Sequence, residues 1–358
     1  MVGLVVPANI KYAPYVQYYI NELQKSNVKY EVISWDRLGL DESVDHSFNF
    51  ITSDGNRKRV LLGYFGFANF VKRIVKKRKY DKLVVFTVAA AFFIRHVLNG
   101  KYKNNFIFDI RDDSPIARKF SSAIDKLCHN AYQVVTSSEN FKKWIPVNPI
   151  IGHNADKSMI MSHYSDNCTN ETRDQYAIVF AGMLIEGEIN IELVRQFANS
   201  PKVRFGFVGK ENEAKRELAA VCRKEKIENI FYQGVYDKRD IVDIYRNNAD
   251  YVNIVRCKSE VNKNAVPNKL YDAIISGKPV LVLRHNEAIV RYVEKYNLGV
   301  IIDEVEREHI LAKIAEYETR VLSEDGFAIG RKCFLDSVLG EIHQFENLVR
   351  EFVENKKV

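Results

Sequence analysis

The sequence predicts an α/β protein of two Rossmann-like domains, each built on a parallel sheet. Three observations predict it. Short apolar runs alternate with amphipathic helical stretches along nearly the whole chain, which is the spacing of repeated β-α-β units. The alternation breaks in the middle, at residues 156–175, which are polar and unpatterned and read as a linker. Finally, 358 residues exceed what one compact core of ordinary size needs.

The elements of the first domain, residues 1–155, follow in order. Residues 2–6 are apolar and end at Pro7, residues 15–23 are helical and rich in aromatics, and residues 30–33 are apolar again. The turn after the first run is Pro7-Ala8-Asn9, without a glycine fingerprint, which argues against a bound NAD or FAD. Residues 36–59 are polar, read as irregular, and close on the cluster Arg57-Lys58-Arg59. Residues 60–82 then join an apolar, aromatic segment to a basic one. Phe67, Phe70, Val71, Ile74 and Val75 form one helical face, while Lys72, Arg73, Lys76, Lys77 and Lys79 occupy the rest. Two readings compete for this helix: an ordinary surface helix with a solvated basic face, or a patch for an anionic membrane surface or acceptor. Nucleic acid is the weaker partner, since no recognition motif accompanies the charge.

Runs at 83–86, 106–110, 133–136 and 149–151 continue the sheet, with helices at 88–98, 116–130 and from Ser138. Asp112 and Asp113 stand at the C-terminal end of the 106–110 strand, where open α/β sheets gather ligands. An Arg-Asp network capping the next helix would look the same. His153 follows the last strand. A loop histidine in a hydrogen bond is the plainer reading, but the strand end keeps it a candidate.

The second domain, residues 176–335, has strands at 176–180, 203–208, 230–232, 251–255, 279–283 and 299–302. Its helices fall at 191–198, 213–224, 238–247, 268–275 and 287–296, followed by 305–321 and 335–355. The last of these, with the terminus at 336–358, is expected to pack back on the first domain. Residues 261–283 are the best punctuated. Pro267 suits the first turn of a helix, so the helix opens at 267 or 268, and Gly277 stops it. Its free N–H groups and partial positive charge suit a phosphate, with Lys263 and Lys269 on either side. Asp272 lies one turn further in, on the face of Asn268, where a carboxylate can accept from sugar hydroxyls. An ordinary αβ unit carries the same punctuation.

Composition bounds the rest. The net charge of +7 is uneven: residues 1–155 hold 23 Lys and Arg against 13 Asp and Glu, and the remainder holds 30 against 33. The excess of positive charge belongs to the first domain. Five scattered cysteines, never Cys-x-x-Cys, predict reduced thiols and no structural zinc. No run of eighteen apolar residues predicts a membrane span. The first ten residues lack the pattern of a secretory leader, so a cytoplasmic protein is expected, peripheral on the inner face of the plasma membrane if the basic helix docks there.

The order of motifs in residues 177–302 adds a resemblance. FAG follows the first strand and FVGK the second; then come FYQGVY, YRNNADYVNIV, VPNKLYDAIISGKPVLV and NLGVII. With two such domains and a long closing helix, the chain resembles nucleotide-sugar glycosyltransferases of the GT-B type, whose two domains face each other across a cleft. The second domain is similar to the retaining family-four group in particular. The first matches more loosely, through FIFDIRD, AYQVVTSS and IGHNAD.

The resemblance implies a donor site in the second domain and an acceptor site in the first. Asp272 stands where the family's second motif glutamate binds the donor ribose, and Asn264 stands where the first glutamate would be. The loop through Val266, Pro267, Asn268 and Lys269 would meet the sugar and diphosphate, with Gly182 and Gly209 in the strand-end turns. Gly234 and Tyr236 lie where the base-binding loop runs. The family's Arg and Lys that clamp the diphosphate fall on Met183 and Glu186, a departure that leaves Lys210, Arg256, Lys258, Lys263 or Lys269 as substitutes. The implied activity is transfer of a sugar from a nucleotide diphosphate, expected to be UDP, with retention and without a metal or other cofactor. The implied acceptor is a glycan or lipid-linked oligosaccharide in surface polysaccharide assembly, with Asp112, Asp113 and His153 as catalytic candidates. In the family the leaving phosphate is thought to take the acceptor proton. Asn264 and the missing cation pair also suit a non-catalytic subunit that binds glycan or stabilises a partner enzyme, and an epimerase or hydrolase of the same architecture is the third reading.

Overall fold

The computed structural model describes residues 1–37, 39, 47–51, 60–166 and 174–355. The Arg57-Lys58-Arg59 cluster lies outside the described residues. The chain divides into two compact units, one of residues 1–154 with 340–358 and the other of residues 155–339.

The first unit is a parallel sheet of seven strands: β1 (Val2–Val6), β2 (Tyr30–Asp36), β3 (Ser47–Ile51), β4 (Lys82–Phe86), β5 (Phe106–Ile110), β6 (Gln133–Thr136) and β7 (Ile150–Ile151). Their order is β3-β2-β1-β4-β5-β6-β7, so the strand order reverses between β1 and β4. Successive side chains point to opposite faces, and the core divides accordingly. Val5, Ile33, Val85 and Phe108 pack on one face with Phe67, Val71 and Val75 of the helix Val60–Arg78, the apolar row read from the sequence. Leu4, Val6, Val84 and Ile107 pack on the other with Phe345, Leu348, Val349 and Phe352. Those four lie at helical spacing on Gly326–Glu354, whose last part closes on this unit as expected. The Lys82 ammonium donates to the carbonyls of Phe352 and Asn355 at the end of that helix.

The second unit is a six-stranded parallel sheet: β8 (Tyr176–Ala181), β9 (Val203–Val208), β10 (Ile230–Gln233), β11 (Tyr251–Asn253), β12 (Val280–Leu283) and β13 (Gly299–Ile302). Its order, β10-β9-β8-β11-β12-β13, reverses between β8 and β11. Ligands of such sheets bind outside the carboxyl ends of the strands at the reversal.

Several expectations need correcting. Residues 36–59 are not all irregular, because β3 pairs in parallel with β2, Trp35 opposite Phe50. The expected linker 156–175 begins with a helix, Lys157–His163, capped by Asp156, whose Oδ1 accepts from the Ser158 and Met159 N–H groups. The expected helix 116–130 is two, Pro115–Lys119 and Ser121–Asn130, parted at Phe120. The closing helix starts at Gly326 rather than near 335. Gly330 inside it allows close packing: a Cβ there would lie 1.6 Å from the Tyr296 carbonyl oxygen.

Candidate functional site

At the carboxyl edge of the second sheet two glycines set the floor. Gly182 after β8 and Gly209 after β9 have φ of +122° and +139°, and a Cβ on Gly209 would lie 2.3 Å from the Gly182 carbonyl oxygen. No residue with a side chain fits there without displacing backbone. The Lys215 ammonium holds the next turn in place, donating to the Gly209 carbonyl at 2.9 Å and the Gln233 carbonyl at 2.8 Å.

Opposite this floor begins the helix Asn268–Ile275, with Pro267 at the cap position. The Lys269 side chain turns back over the floor, so that a Cβ on Gly182 would be 3.2 Å from its Nζ. The ammonium sits 4.5 Å from the centre of the Phe180 ring, and among the described residues it makes no hydrogen bond or ion pair. Burial lowers its pKa to about 8, against a raising effect of Asp272, with Arg256 and Lys238 adding to the decrease. Asp272 is buried, 8 % exposed, and paired with Lys238. Burial pushes its carboxyl above the usual carboxylate range, while Lys238 pulls the other way. Tyr236 completes the cluster, its hydroxyl pushed up to about 12 by burial and by Asp272, so it is a neutral donor.

Across the strand-order reversal, Arg256 follows β11 and lies 3.4 Å from Glu186, which also accepts from Asn262 Nδ2 at 2.8 Å and from the Cys257 N–H. Glu186 therefore orders the loop 256–262. Phe180, Glu186, Ile254, Arg256, Pro267 and Lys269 help to line a cavity of about 180 Å³ within this unit. The cluster thus offers an anion three things: a half-buried ammonium, a second cation and the N–H groups of a helix start.

The expected donor residues do not all converge. Gly182, Gly209, Tyr236, Arg256, Lys269 and Asp272 meet at this edge, with Pro267 and buried Val266 supporting the helix start. Lys263 is paired with Glu287 at 3.3 Å, and Asn264 Nδ2 donates to the Glu260 carbonyl. Lys210, Gly234, Lys258 and Asn268 are exposed. In the first unit, Asp113 is bound by Arg118 through contacts of 2.8 and 2.6 Å, while the helix Pro115–Lys119 is capped by Ser114, whose Oγ accepts from the Ile116 N–H. His153 is buried against Glu341, and Asp112 is exposed. Arg73, Lys76, Lys77 and Lys79 are exposed on the basic helix and its end, and Lys72 is half-buried.

The sequence reading missed Lys238, Glu186 as an anchor, and Arg331. Arg331 donates to the carbonyls of Ile274 and Ile275, at 2.8 and 3.1 Å, and to those of His163 and Tyr164. It thus fixes the far end of the helix that carries Lys269 and Asp272. A lone arginine in an apolar helical pattern was the available signal for it; Lys238, in a run of exposed charges, had none.

Solved structures share this fold at low identity. A glycosyltransferase involved in lipopolysaccharide biosynthesis, WaaG, is 12 % identical with a TM-score of 0.60, over 98 % of this chain and 99 % of that one. HepE from Anabaena, solved with UDP and glucose, is 13 % identical with a TM-score of 0.61, over 98 % and 100 %. A UDP-GlcNAc 2-epimerase from Methanocaldococcus jannaschii is 12 % identical with a TM-score of 0.54, over 88 % and 92 %. No protein-family model and no curated protein matches the sequence.

Proposed function

We propose that this GT-B-fold chain is a glycosyltransferase whose second unit binds a UDP-linked sugar and delivers the sugar, with retention, to a glycan or lipid-linked acceptor. The observation that carries the proposal is the half-buried Lys269 ammonium at a helix start, over the Gly182–Gly209 floor and without a hydrogen bond or ion pair among the described residues. Breaking the bond from an anomeric carbon to a nucleotide diphosphate leaves negative charge on the departing phosphate. Donors already fixed at that place stabilise the transition state, and single donors contribute about 3 kcal/mol in comparable sites. Lys269 and Arg256 here take over the cations absent at Met183 and Glu186, and no metal is needed in this reading. Asp272, steadied by Lys238, is placed to accept from the ribose, and Tyr236 to flank the base. HepE, whose structure holds UDP and glucose, supports the choice of UDP. Asp112 is the exposed candidate on the acceptor side, whereas Asp113 and His153 are already engaged.

Calorimetry with UDP, GDP, TDP and ADP tests this reading. UDP is expected to bind best, with Lys269→Met and Asp272→Ala each weakening it about tenfold or more. Nucleotide binding that is absent, or unchanged in both variants, would sink it. Product formation with a lipid-linked acceptor, and its anomeric assignment by NMR, then test transfer and retention. A second reading, a non-catalytic glycan-binding subunit, is favoured by Asn264, which offers no carboxylate where the donor sugar would lie. It predicts glycan binding without nucleotide binding.

A further inference from the structure

Arg37 stands at the C-terminal end of β2, in the first unit, and takes no part in the donor cluster. Its guanidinium carbon is 4.1 Å from the centre of the Trp35 ring and 5.0 Å from that of Tyr64. Its Nε and Nη2 are buried and, among the described residues, have no hydrogen-bond partner. The adjacent Asp36 is held by Asn9, whose Nδ2 donates to Asp36 Oδ1 at 2.6 Å while its Oδ1 accepts from the Arg37 backbone N–H at 3.1 Å. Buried donors left open are rare because each is costly, so their presence asks for an acceptor that arrives from outside.

The surroundings hold the guanidinium ready. Trp35 stacks on Phe67 at 5.6 Å, and Tyr64 on Phe93 at 5.8 Å. Gly63 lets the Trp35 ring lie against its helix, since a Cβ there would come within 2.5 Å of the ring. Phe65, 55 % exposed and 4.6 Å from Phe93, extends the aromatic surface outward. Tyr64 and the β5-end residues Arg111 and Asp112 are all within electrostatic reach of Tyr15, so the shelf runs along the ligand-gathering edge of the sheet. A planar, stacked guanidinium with open N–H groups is matched by a two-oxygen anion. Aromatic faces beside it match the C–H face of a ring.

We infer that Arg37, on its Trp35–Tyr64 shelf, binds an oxyanion attached to a sugar ring, a phosphate ester or a carboxylate. That this ligand is the acceptor rests on the glycosyl-transfer reading; that it is an anion does not. Trp35 and Trp144 are the two tryptophans of the chain. In a Trp144→Phe background, fluorescence therefore reports on the shelf during titration with glucose 6-phosphate, glucuronate and glucose. A saturable change with either anionic sugar, and none with glucose at the same concentration, is expected; which anion binds tells phosphate from carboxylate. R37M should weaken that binding at least about tenfold and R37K less, while UDP affinity stays unchanged in both. Equal responses to glucose and the anions, or anion affinity retained in R37M, would overturn the assignment. Thermal shift of the native protein and R37M with the same sugars gives an independent reading should the Trp144→Phe chain not fold. Anion binding lost in R37M supports the site whether or not UDP binds.

Discussion

Lys269 keeps its charge against burial, and that makes its pH dependence readable. Its pKa is lowered to about 8, so the charged form fades as pH rises through that value. A diphosphate that needs the ammonium binds less well on the same rise. Between pH 7 and 9 the charged fraction falls about tenfold, and UDP affinity by calorimetry should fall with it. In Lys269→Arg the guanidinium stays charged and the profile should flatten. A flat profile in the native protein would show that Lys269 does not hold the diphosphate. At this scale Lys269 and Asp272 were legible because proline and glycine punctuation marked their helix. Lys238 and Arg331 were not, because their partners are 34 and 57 residues away in sequence and meet only in the folded unit.

Among the elements, the helix Val60–Arg78 has two faces with separate tasks. Phe67, Val71 and Val75 are buried in the core, and Gly63 and Gly66 admit the rings of Trp35 and Phe50 close to the helix. The other side carries the exposed Arg73, Lys76 and Lys77, with Lys79 just beyond its end, and Leu62 and Phe65 are exposed nearer its start. Each basic residue near an anionic leaflet contributes about 1 kcal/mol. We predict that the protein sediments with vesicles containing phosphatidylserine at low salt, and that Lys76/Lys77/Lys79→Glu weakens this by at least tenfold. Sedimentation unchanged by the triple variant would leave the face merely solvated. The helix was legible from its apolar period; β3 was not. Phe48 and Phe50 alternate with Ser47 and Asn49 in a strand of five residues set among polar neighbours, and Asn49 is bonded to Ser34 of β2 across the ladder. That pairing is a tertiary fact with little local trace.

At the scale of the molecule, the alternation of runs and helices was enough to read both sheets apart from β3. The exact division was harder, since the chain passes between units at two places and the second lies inside a helix. Residues 326–339 of Gly326–Glu354 belong to one unit and residues from 340 onward to the other. Phe345, Leu348, Val349 and Phe352 are each at most 6 % exposed, and burying side chains of this size contributes about 1.5 to 3 kcal/mol apiece. Their sum rivals the whole stability margin of a typical domain, ~5–15 kcal/mol. A fragment of residues 1–154 should therefore aggregate or lack a cooperative thermal transition, while the same fragment fused to 340–358 through a flexible linker should regain one. A cooperative melt of the unfused fragment would refute this.

The arrangement also sets an order of events during synthesis. Domains made first usually fold first as the chain emerges. Here all strands of the seven-stranded sheet leave the ribosome early, yet part of the cover of one of its faces, Phe345, Leu348, Val349 and Phe352, is translated after every strand of the second sheet. The earlier unit must wait with Leu4, Val6, Val84 and Ile107 incompletely covered while the later unit obtains its own segments. Pausing translation before residue 340 should therefore prolong the interval in which the nascent chain is held by chaperones that recognise apolar surface.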